Sequence, residues 1–237
     1  MELAWAAESS RARSARSTIL SIPITRFILI ATLAASRCFA GEDTNVAAVG
    51  DWSTPVANSD GYKIRGRLLI CDTPAHSSSI EKTDTAVYLE LQEFSDFLST
   101  VEVYCELDTW SKPVDYTGGL RCELRDDKGR PAVTDAPAGF SGGGPGTSWI
   151  TLDPYCSARL RVSAYGGGRL DDGGVGIHLA SRGWWNVHPN PTNEYFLSGT
   201  FTAIPPTNRT VAVGNTKRNV WEGTLKLPGV KIPVKKK

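Results

Sequence analysis

The sequence predicts an all-β protein: an antiparallel two-sheet sandwich of about eight or nine strands, immunoglobulin-like or jelly-roll-like. Apolar and polar residues alternate with a period of two through most of the chain, which is typical of strands with one face on a core and one in water. Turn residues separate these runs, and two glycine-rich tracts at 139–146 and 166–176 interrupt them. Helical periodicity is nearly missing from the chain.

In the first half of the chain, four runs place apolar side chains on one face and polar or charged side chains on the other. They cover residues 62–71, 86–92, 101–107 and 120–125. The second run lies within Asp84–Leu98, which also fits helical spacing, but its β-branched and aromatic residues favour a strand. A turn at Asp126–Gly129 then leads to a short strand at Pro131–Thr134.

Further strands are expected in the second half of the chain. They cover residues 149–152, 159–164, 195–203 and 220–234, the last of them broken at Pro228-Gly229. Long loops are expected at about 135–147, 166–175 and 204–218. Because loops usually carry the functional surface of a sandwich, we expect binding to occur there.

Residues 1–40 have the layout of a secretory signal peptide. Arginines precede an apolar run of about ten residues that starts at Phe27, and the compact residues Cys38 and Ala40 fit a cleavage site after Ala40. An uncleaved anchor is the alternative, although a membrane-spanning helix needs about 20 apolar residues. We therefore expect an exported protein, periplasmic, secreted or on the cell surface, without a stable membrane span after cleavage.

The remaining chain is predicted to comprise a lead-in at 41–60, one β-sandwich domain at 61–234 and a basic tail at 235–237. Cleavage after Ala40 removes five arginines and two glutamates, which changes the net charge from +1 to −2. So small a charge gives no electrostatic reason to expect nucleic acid as a partner.

Four cysteines follow the expected cleavage site, namely Cys71, Cys105, Cys122 and Cys156. An even number in an exported chain suggests disulfides, and four cysteines allow three connectivities. Cys105 and Cys122 lie on the apolar faces of neighbouring runs, which favours their pairing and leaves Cys71 for Cys156. Buried free thiols are the alternative. No metal site is expected, because no Cys-x-x-Cys occurs and the histidines lack metal-type spacing to a cysteine.

Common motifs of catalysis and cofactor binding are missing from the sequence. It contains no His-Glu-x-x-His, no Gly-x-Ser-x-Gly and no phosphate-binding loop that ends in Gly-Lys-Ser/Thr. The sequence therefore predicts neither an enzyme nor a bound cofactor. A hydrolase with an unrecognised site among Asp171, Asp172 and His178 is an alternative. In that region His178 alternates with apolar neighbours, which places it on an exposed strand face.

The adjacent tryptophans Trp184 and Trp185 are the main candidate binding residues. Neighbouring residues of a strand face opposite sides, so one indole is expected to pack inward and the other to be exposed. An exposed indole can stack on a sugar ring or anchor a protein partner, and Trp110 and Tyr116 can extend such a surface. The alternative is that these aromatic residues belong to the core or cap loops.

Short segments spread over residues 52–234 carry a family resemblance. They are Trp52–Val56 with Arg65–Leu69, then Leu124–Pro131 and Tyr195–Phe201, and finally Trp221–Pro228 with Val230 and Ile232. Together they resemble uncharacterised exported proteins of planctomycete-type bacteria, which usually have a glycine where this chain has Ser53. The resemblance implies an immunoglobulin-like β-sandwich without assigned enzymatic activity, and it supplies no catalytic residues.

These observations lead to one functional expectation. We expect a bacterial, exported, non-enzymatic β-sandwich that acts as a binding or structural module through its loops. Its expected partner is an extracytoplasmic protein or a polysaccharide, and a carbohydrate-binding module that uses Trp184 or Trp185 is the alternative.

Overall fold

The computed structural model describes residues 45–73, 84–96, 98–107, 117–133, 147–163, 168–179, 183–190, 192–206 and 219–234. These residues form fourteen β-strands and no helix, so the prediction of an all-β protein with antiparallel sheets is confirmed. None of them belongs to a helix long and apolar enough to cross a membrane. The expected signal peptide, Trp110, Tyr116 and the basic tail lie outside the described residues.

Sheet 1 is built around two long antiparallel strands, β3 (Lys63–Thr73) and β4 (Asp84–Glu93). On its outer side, β3 pairs with β1 (Asn45–Val49) and β2 (Val56–Ala57). β4 pairs with β8 (Ser157–Arg161), which completes the order β1-β3-β4-β8. The run that also fitted a helix is therefore a strand, as its β-branched content predicts.

The other three sheets have three strands each. Sheet 2 consists of β5 (Val101–Glu106), β7 (Thr147–Leu152) and β13 (Val220–Trp221). Sheet 3 consists of β6 (Gly119–Asp126), β12 (Tyr195–Ala203) and β14 (Gly223–Lys231), with β12 in the middle. Sheet 4 consists of β9 (Gly168–Arg169), β10 (Val175–His178) and β11 (Trp184–Val187), with β10 in the middle. Among the described strands, only β13 and β5 pair in parallel.

A single hydrophobic core joins the four sheets, because the apolar face of each contributes to one continuous cluster of buried side chains. Phe201 and Trp221 are its largest fully buried members. Sheets 1 and 3 approach closely at Gly66, where a Cβ atom would lie 3.0 to 3.1 Å from methyl groups of Leu225, Leu227 and Leu91. A side chain at this position would displace these methyl groups by a few tenths of an ångström, so Gly66 lies at a tight contact between the two sheets.

One part of sheet 1 is buried on both faces. Leu69, Cys71, Ala86 and Tyr88 form a second buried cluster on the face opposite the main core. This burial accounts for the uninterrupted apolar run Leu68–Cys71, which departs from alternation as strands buried on both faces do.

The expected count of eight or nine strands is too low, because β1, β2 and the strands of sheet 4 are short and carry little alternation. β9 forms within the tract expected to be a loop at 166–175. Of the short strand expected at Pro131–Thr134, the described part shows a single bridge between Arg125 and Pro131. The break expected at Pro228-Gly229 is a shift of register within β14.

The expected disulfide between Cys105 and Cys122 is absent, because both are free thiols. Cys105 lies in the core on β5, where its neighbour across the strands is Ser148. Cys122 lies on β6 opposite Gly199 of β12. The predicted pairing of Cys105 with Cys122 is therefore wrong, because their strands belong to different sheets. Cys71 packs in the second cluster, on the face of sheet 1 opposite the main core, and its pairing with Cys156 stays a prediction.

Candidate functional site

The hairpin of β10 and β11 positions the two adjacent tryptophans. In its register Ile177 lies opposite Trp185, and His178 lies opposite Trp184. Trp185 packs into the core with Ile177, whereas Trp184 lies on the other face and is half-buried. The expectation that one indole packs inward is confirmed, and the second indole is partly covered rather than freely exposed.

His178 explains why Trp184 is partly covered. The imidazole and the indole stack with ring centroids 3.4 Å apart and an interplanar angle of 23°. Because the stack encloses the imidazole, burial lowers the pKa of His178 to about 4, and the side chain is uncharged at neutral pH. The expectation that His178 is exposed on a strand is wrong, because its neighbour across the hairpin is a large aromatic residue.

Gly183 allows the Trp185 indole to lie against the backbone before β11. A Cβ atom at this position would lie 2.2 Å from Cη2 and 2.3 Å from Cζ3 of the indole, closer than any real contact. The Leu179 N–H donates to the Gly183 carbonyl at 2.6 Å, which holds the segment against the end of the hairpin. Trp185 can therefore occupy this position because residue 183, two residues earlier, is a glycine.

Beside Trp185 lies an open cleft of about 390 Å³, between sheet 4 and one end of sheet 3. Trp185, Asn186 and Val187 of β11 form one wall. The opposite side comes from sheet 3 and the segments next to it, namely Leu124, Asp126, Arg130, Pro131, Ala132, Val133, Asn193 and Tyr195. Two aromatic residues, two asparagines and one ion pair thus line a single concave surface.

The ion pair of the cleft is formed by Asp126 and Arg130. The Asp126 carboxylate accepts hydrogen bonds from the backbone N–H groups of Lys128 and Arg130 and from Arg130 Nε, at 3.0, 2.8 and 2.7 Å. Burial disfavours the charged carboxylate, but these hydrogen bonds outweigh it, and the pKa of Asp126 lies below its usual range. The predicted turn at Asp126–Gly129 therefore also fixes a charged pair at the rim.

The indole nitrogen of Trp185 is a hydrogen-bond donor without an acceptor in the part of the chain that the structure describes. The side chain is only 4% exposed. A buried indole N–H usually has a partner, because leaving a donor unsatisfied costs about 1–3 kcal/mol. Trp185 thus borders the cleft with a buried donor that lacks an acceptor among the described residues.

Asp172 and His188 form a second pair, at the turn of sheet 4 and beyond β11. His188 Nδ1 lies 2.6 Å from Asp172 Oδ2, and Asp172 Oδ1 accepts from the Gly174 N–H. The hydrogen bond from His188 is the main reason that the pKa of Asp172 lies below its usual range.

Both side chains of this pair are largely in solvent, at 64% exposure for His188 and 46% for Asp172. Within the described residues, no hydroxyl or thiol contacts His188, and no group of three potential ligands could hold a metal ion. Asp171 and Asp172 share one turn, but His178 is stacked on Trp184 and has no contact with Asp172 there. The three residues of the possible hydrolase site do not converge.

No family model, curated protein or solved structure matches this chain. Its function is therefore inferred from the side chains that line the cleft.

Sequence reasoning identified Trp185 but not the residues that meet it in the cleft. Asp126 and Tyr195 face each other across β6 and β12, and Asn193 lies just before β12. The one local signal was the Asp-Asp-Lys-Gly-Arg turn, which places Arg130 four residues after Asp126. Trp110 and Tyr116, expected to extend the surface, lie outside the described residues.

Proposed function

We propose that this chain is an exported, non-enzymatic binding module with a β-sandwich architecture, and that the cleft beside Trp185 is its ligand site. The close packing of sheets 1 and 3 at Gly66 and the shared core support the sandwich. The basic region, apolar run and cleavage pattern of residues 1–40 support export.

Carbohydrate is the ligand class that the cleft favours. The observation that carries this proposal is the convergence of Trp185 and Tyr195 with Asn193 and the Asp126–Arg130 pair. Sugars offer apolar C–H faces to aromatic rings and hydroxyl groups to amides and charged groups. A volume of about 390 Å³ also lies within the range of small-ligand sites.

The small number of carboxylic acids in the cleft favours a binding function over hydrolysis. Glycoside hydrolysis generally needs two carboxyl groups that flank the bond to be cleaved. Among the described residues of the lining, Asp126 is the only carboxylic acid, and its carboxylate forms an ion pair with Arg130. The Asp172–His188 pair lies elsewhere, in solvent.

The test is retention of the mature protein on neutral polysaccharides, with two cleft variants and one matched control. Trp185→Phe removes the indole donor but keeps a ring, and Asn193→Ala removes a lining amide. Asn190→Ala is the control, because this exposed asparagine bonds to Thr192 within the described residues and is absent from the described lining of the cleft. We expect about tenfold weaker binding in both cleft variants, since one lost hydrogen bond is worth about 1–1.5 kcal/mol.

The contrary results are equally specific. If no neutral glycan is retained, carbohydrate is the wrong ligand class. If retention is unchanged in both cleft variants, the ligand binds elsewhere. Thermal unfolding of each variant separates loss of binding from loss of the fold.

A further inference from the structure

A cluster of arginine side chains occupies the face of sheet 1 that is turned away from the main core. It comprises Arg65 and Arg67 on β3 and Arg159 on β8, here named the guanidinium face. Arg67 and Arg159 lie on either side of Glu90 in the strand register, and Arg65 lies opposite Gln92. Arg161 follows two residues after Arg159 and therefore projects to the same side.

The guanidinium groups are held by one buried carboxylate and one amide. Glu90, which is only 1% exposed, accepts from Arg67 Nε at 2.5 Å and from Arg159 Nε at 3.1 Å. Gln92 Oε1 accepts from Arg65 Nε at 2.7 Å. Glu90 is thus the carboxylate that pairs with Arg67, and Arg65 is held by a neutral amide, so these two neighbouring arginines keep a net positive charge.

Two aromatic rings also contact the guanidinium groups of Arg65 and Arg67. The guanidinium carbon of Arg65 lies 4.7 Å from the centroid of Trp52 and 4.2 Å from that of Phe94. The guanidinium carbon of Arg67 lies 4.2 Å from the Trp52 centroid. Such cation–π contacts orient a guanidinium plane without using its N–H donors. Both arginines are thus pre-organised before any ligand arrives.

The terminal nitrogens of Arg65 and Arg67 remain for a ligand. The hydrogen bonds of both side chains in the described part of the chain use Nε. The two terminal N–H groups of a guanidinium form a planar fork that matches the paired oxygens of a carboxylate or a sulfate. Alternate residues of a strand lie about 6.6–7 Å apart, so two such forks stand side by side.

We propose that the guanidinium face binds an acidic polysaccharide through its carboxylate or sulfate groups. Two neighbouring forks suit a chain that repeats its anionic groups better than a single small anion. The exposed ring of Phe94 at the end of the row offers an apolar surface to a sugar.

The charge balance of the face is consistent with an anionic occupant. Burial, and then the charge of Arg67, lower the pKa of Arg65, as expected when like charges are held together. An oxyanion between the two arginines relieves that repulsion. This site is separate from the cleft beside Trp185, which lies between sheets 3 and 4.

The experiment compares dextran sulfate and polygalacturonate with neutral dextran in titrations against the mature protein at low and high salt. We expect binding to the two charged polymers that is weakened by salt, and no salt-dependent binding to dextran. The variant Arg65→Gln/Arg67→Gln is expected to lose about tenfold or more in affinity, since a hydrogen bond to a charged group contributes about 1.5–3 kcal/mol.

The matched control removes the same charge from another sheet. Arg121 and Lys226 are exposed on sheet 3 and both lie opposite Thr200, so Arg121→Gln/Lys226→Gln tests charge alone. We expect this variant to bind within about twofold of the original chain. Should the glutamine variant of the guanidinium face not fold, Arg65→Lys/Arg67→Lys keeps the charge and is expected to bind more weakly, because the planar fork is lost.

Three results would overturn the proposal. The first is unchanged binding in the Arg65/Arg67 variants with a lowered melting temperature, which assigns the arginines a purely structural role. The second is an equal loss in the sheet 3 control. The third is binding of single-stranded DNA as tight as that of dextran sulfate. Trp185→Phe is expected to leave this binding unchanged, so failure here and failure of the cleft proposal are distinguishable.

Discussion

The His178 imidazole lies flat against the Trp184 indole, with 3.4 Å between the ring centroids. The two residues are directly opposed on β10 and β11, so the hairpin itself sets the stack. His178 is 7% exposed, and its Nδ1 has no hydrogen-bond partner among the described residues. A charged imidazole is unfavourable there, which makes this histidine an aromatic packing residue near neutral pH.

The first prediction concerns the pH dependence of stability. The pKa of His178 is about 4 in the folded chain against 6.5 for an ordinary histidine, so the unfolded chain binds more protons between these values. Its contribution to the free energy of unfolding is therefore complete above pH 6.5 and is lost as pH falls towards 4. The loss amounts to at most about 3 kcal/mol.

Denaturant unfolding at several pH values checks this prediction. We expect His178→Phe to remove that part of the pH dependence, whereas His188→Gln, at an exposed histidine, leaves it in place. If the free energy of unfolding varies with pH in the same way for the original chain and His178→Phe between pH 4 and 6.5, burial does not lower the pKa of His178.

The second prediction concerns Ser53, which follows Trp52. Its buried hydroxyl oxygen accepts from the Gly66 N–H at 3.0 Å, while the Ser53 N–H donates to the Gly66 carbonyl at 2.8 Å. Ser53→Ala leaves the Gly66 N–H without that acceptor, and we expect a loss of about 1–3 kcal/mol in the free energy of unfolding. Thr54→Ala, at the exposed next position, is the control and is expected to change it by less than about 0.5 kcal/mol. Equal effects in both variants would contradict this role.

Alternation of side chains was sufficient to predict the long strands. β3 to β8 and β12 lie where the apolar residues alternate, because one face of each strand packs on the core. It was insufficient for the outer face of sheet 1, where the buried Leu69 and Cys71 follow Arg67 on the same side. What covers a second face is a tertiary property that period-two alternation does not encode.

Glycine was the misleading signal in sheet 4. The tract at 166–176 predicts a loop, yet it contains β9 and the start of β10. A Cβ atom at Gly174 would lie 2.5 Å from the Val187 carbonyl oxygen, so this glycine serves a close approach of two backbones. The cleft was also unpredictable, because Asp126, Asn193 and Trp185 come together only where sheets 3 and 4 pack side by side.

The third prediction concerns the reactivity of the cysteines. Burial raises the pKa of Cys105 to about 12, and burial together with the charge of Glu123 does the same for Cys122. Because the thiolate is the reactive form, we expect neither to react with iodoacetamide at pH 8 until the chain is unfolded. Peptide mapping by mass spectrometry after labelling with and without denaturant checks this. A disulfide found between Cys105 and Cys122 would contradict it.

The last prediction concerns Gly183 and the tryptophan that borders the cleft. In Gly183→Ala the new methyl group would overlap the Trp185 ring at 2.2 Å, so the indole must move, and we expect a loss of about 1–3 kcal/mol. Gly229→Ala is the control, because its Cβ atom would meet Phe196 Cβ at an ordinary 3.4 Å.

A double-mutant cycle assigns that cost to the indole. The overlapping atoms Cη2 and Cζ3 are absent from phenylalanine, so Gly183→Ala is expected to cost clearly less in a Trp185→Phe background. Denaturant unfolding of the four chains measures the coupling energy, which we expect to exceed about 0.5 kcal/mol. Additive effects would show that the glycine is required for its backbone alone, and the Trp185 indole would then not depend on it.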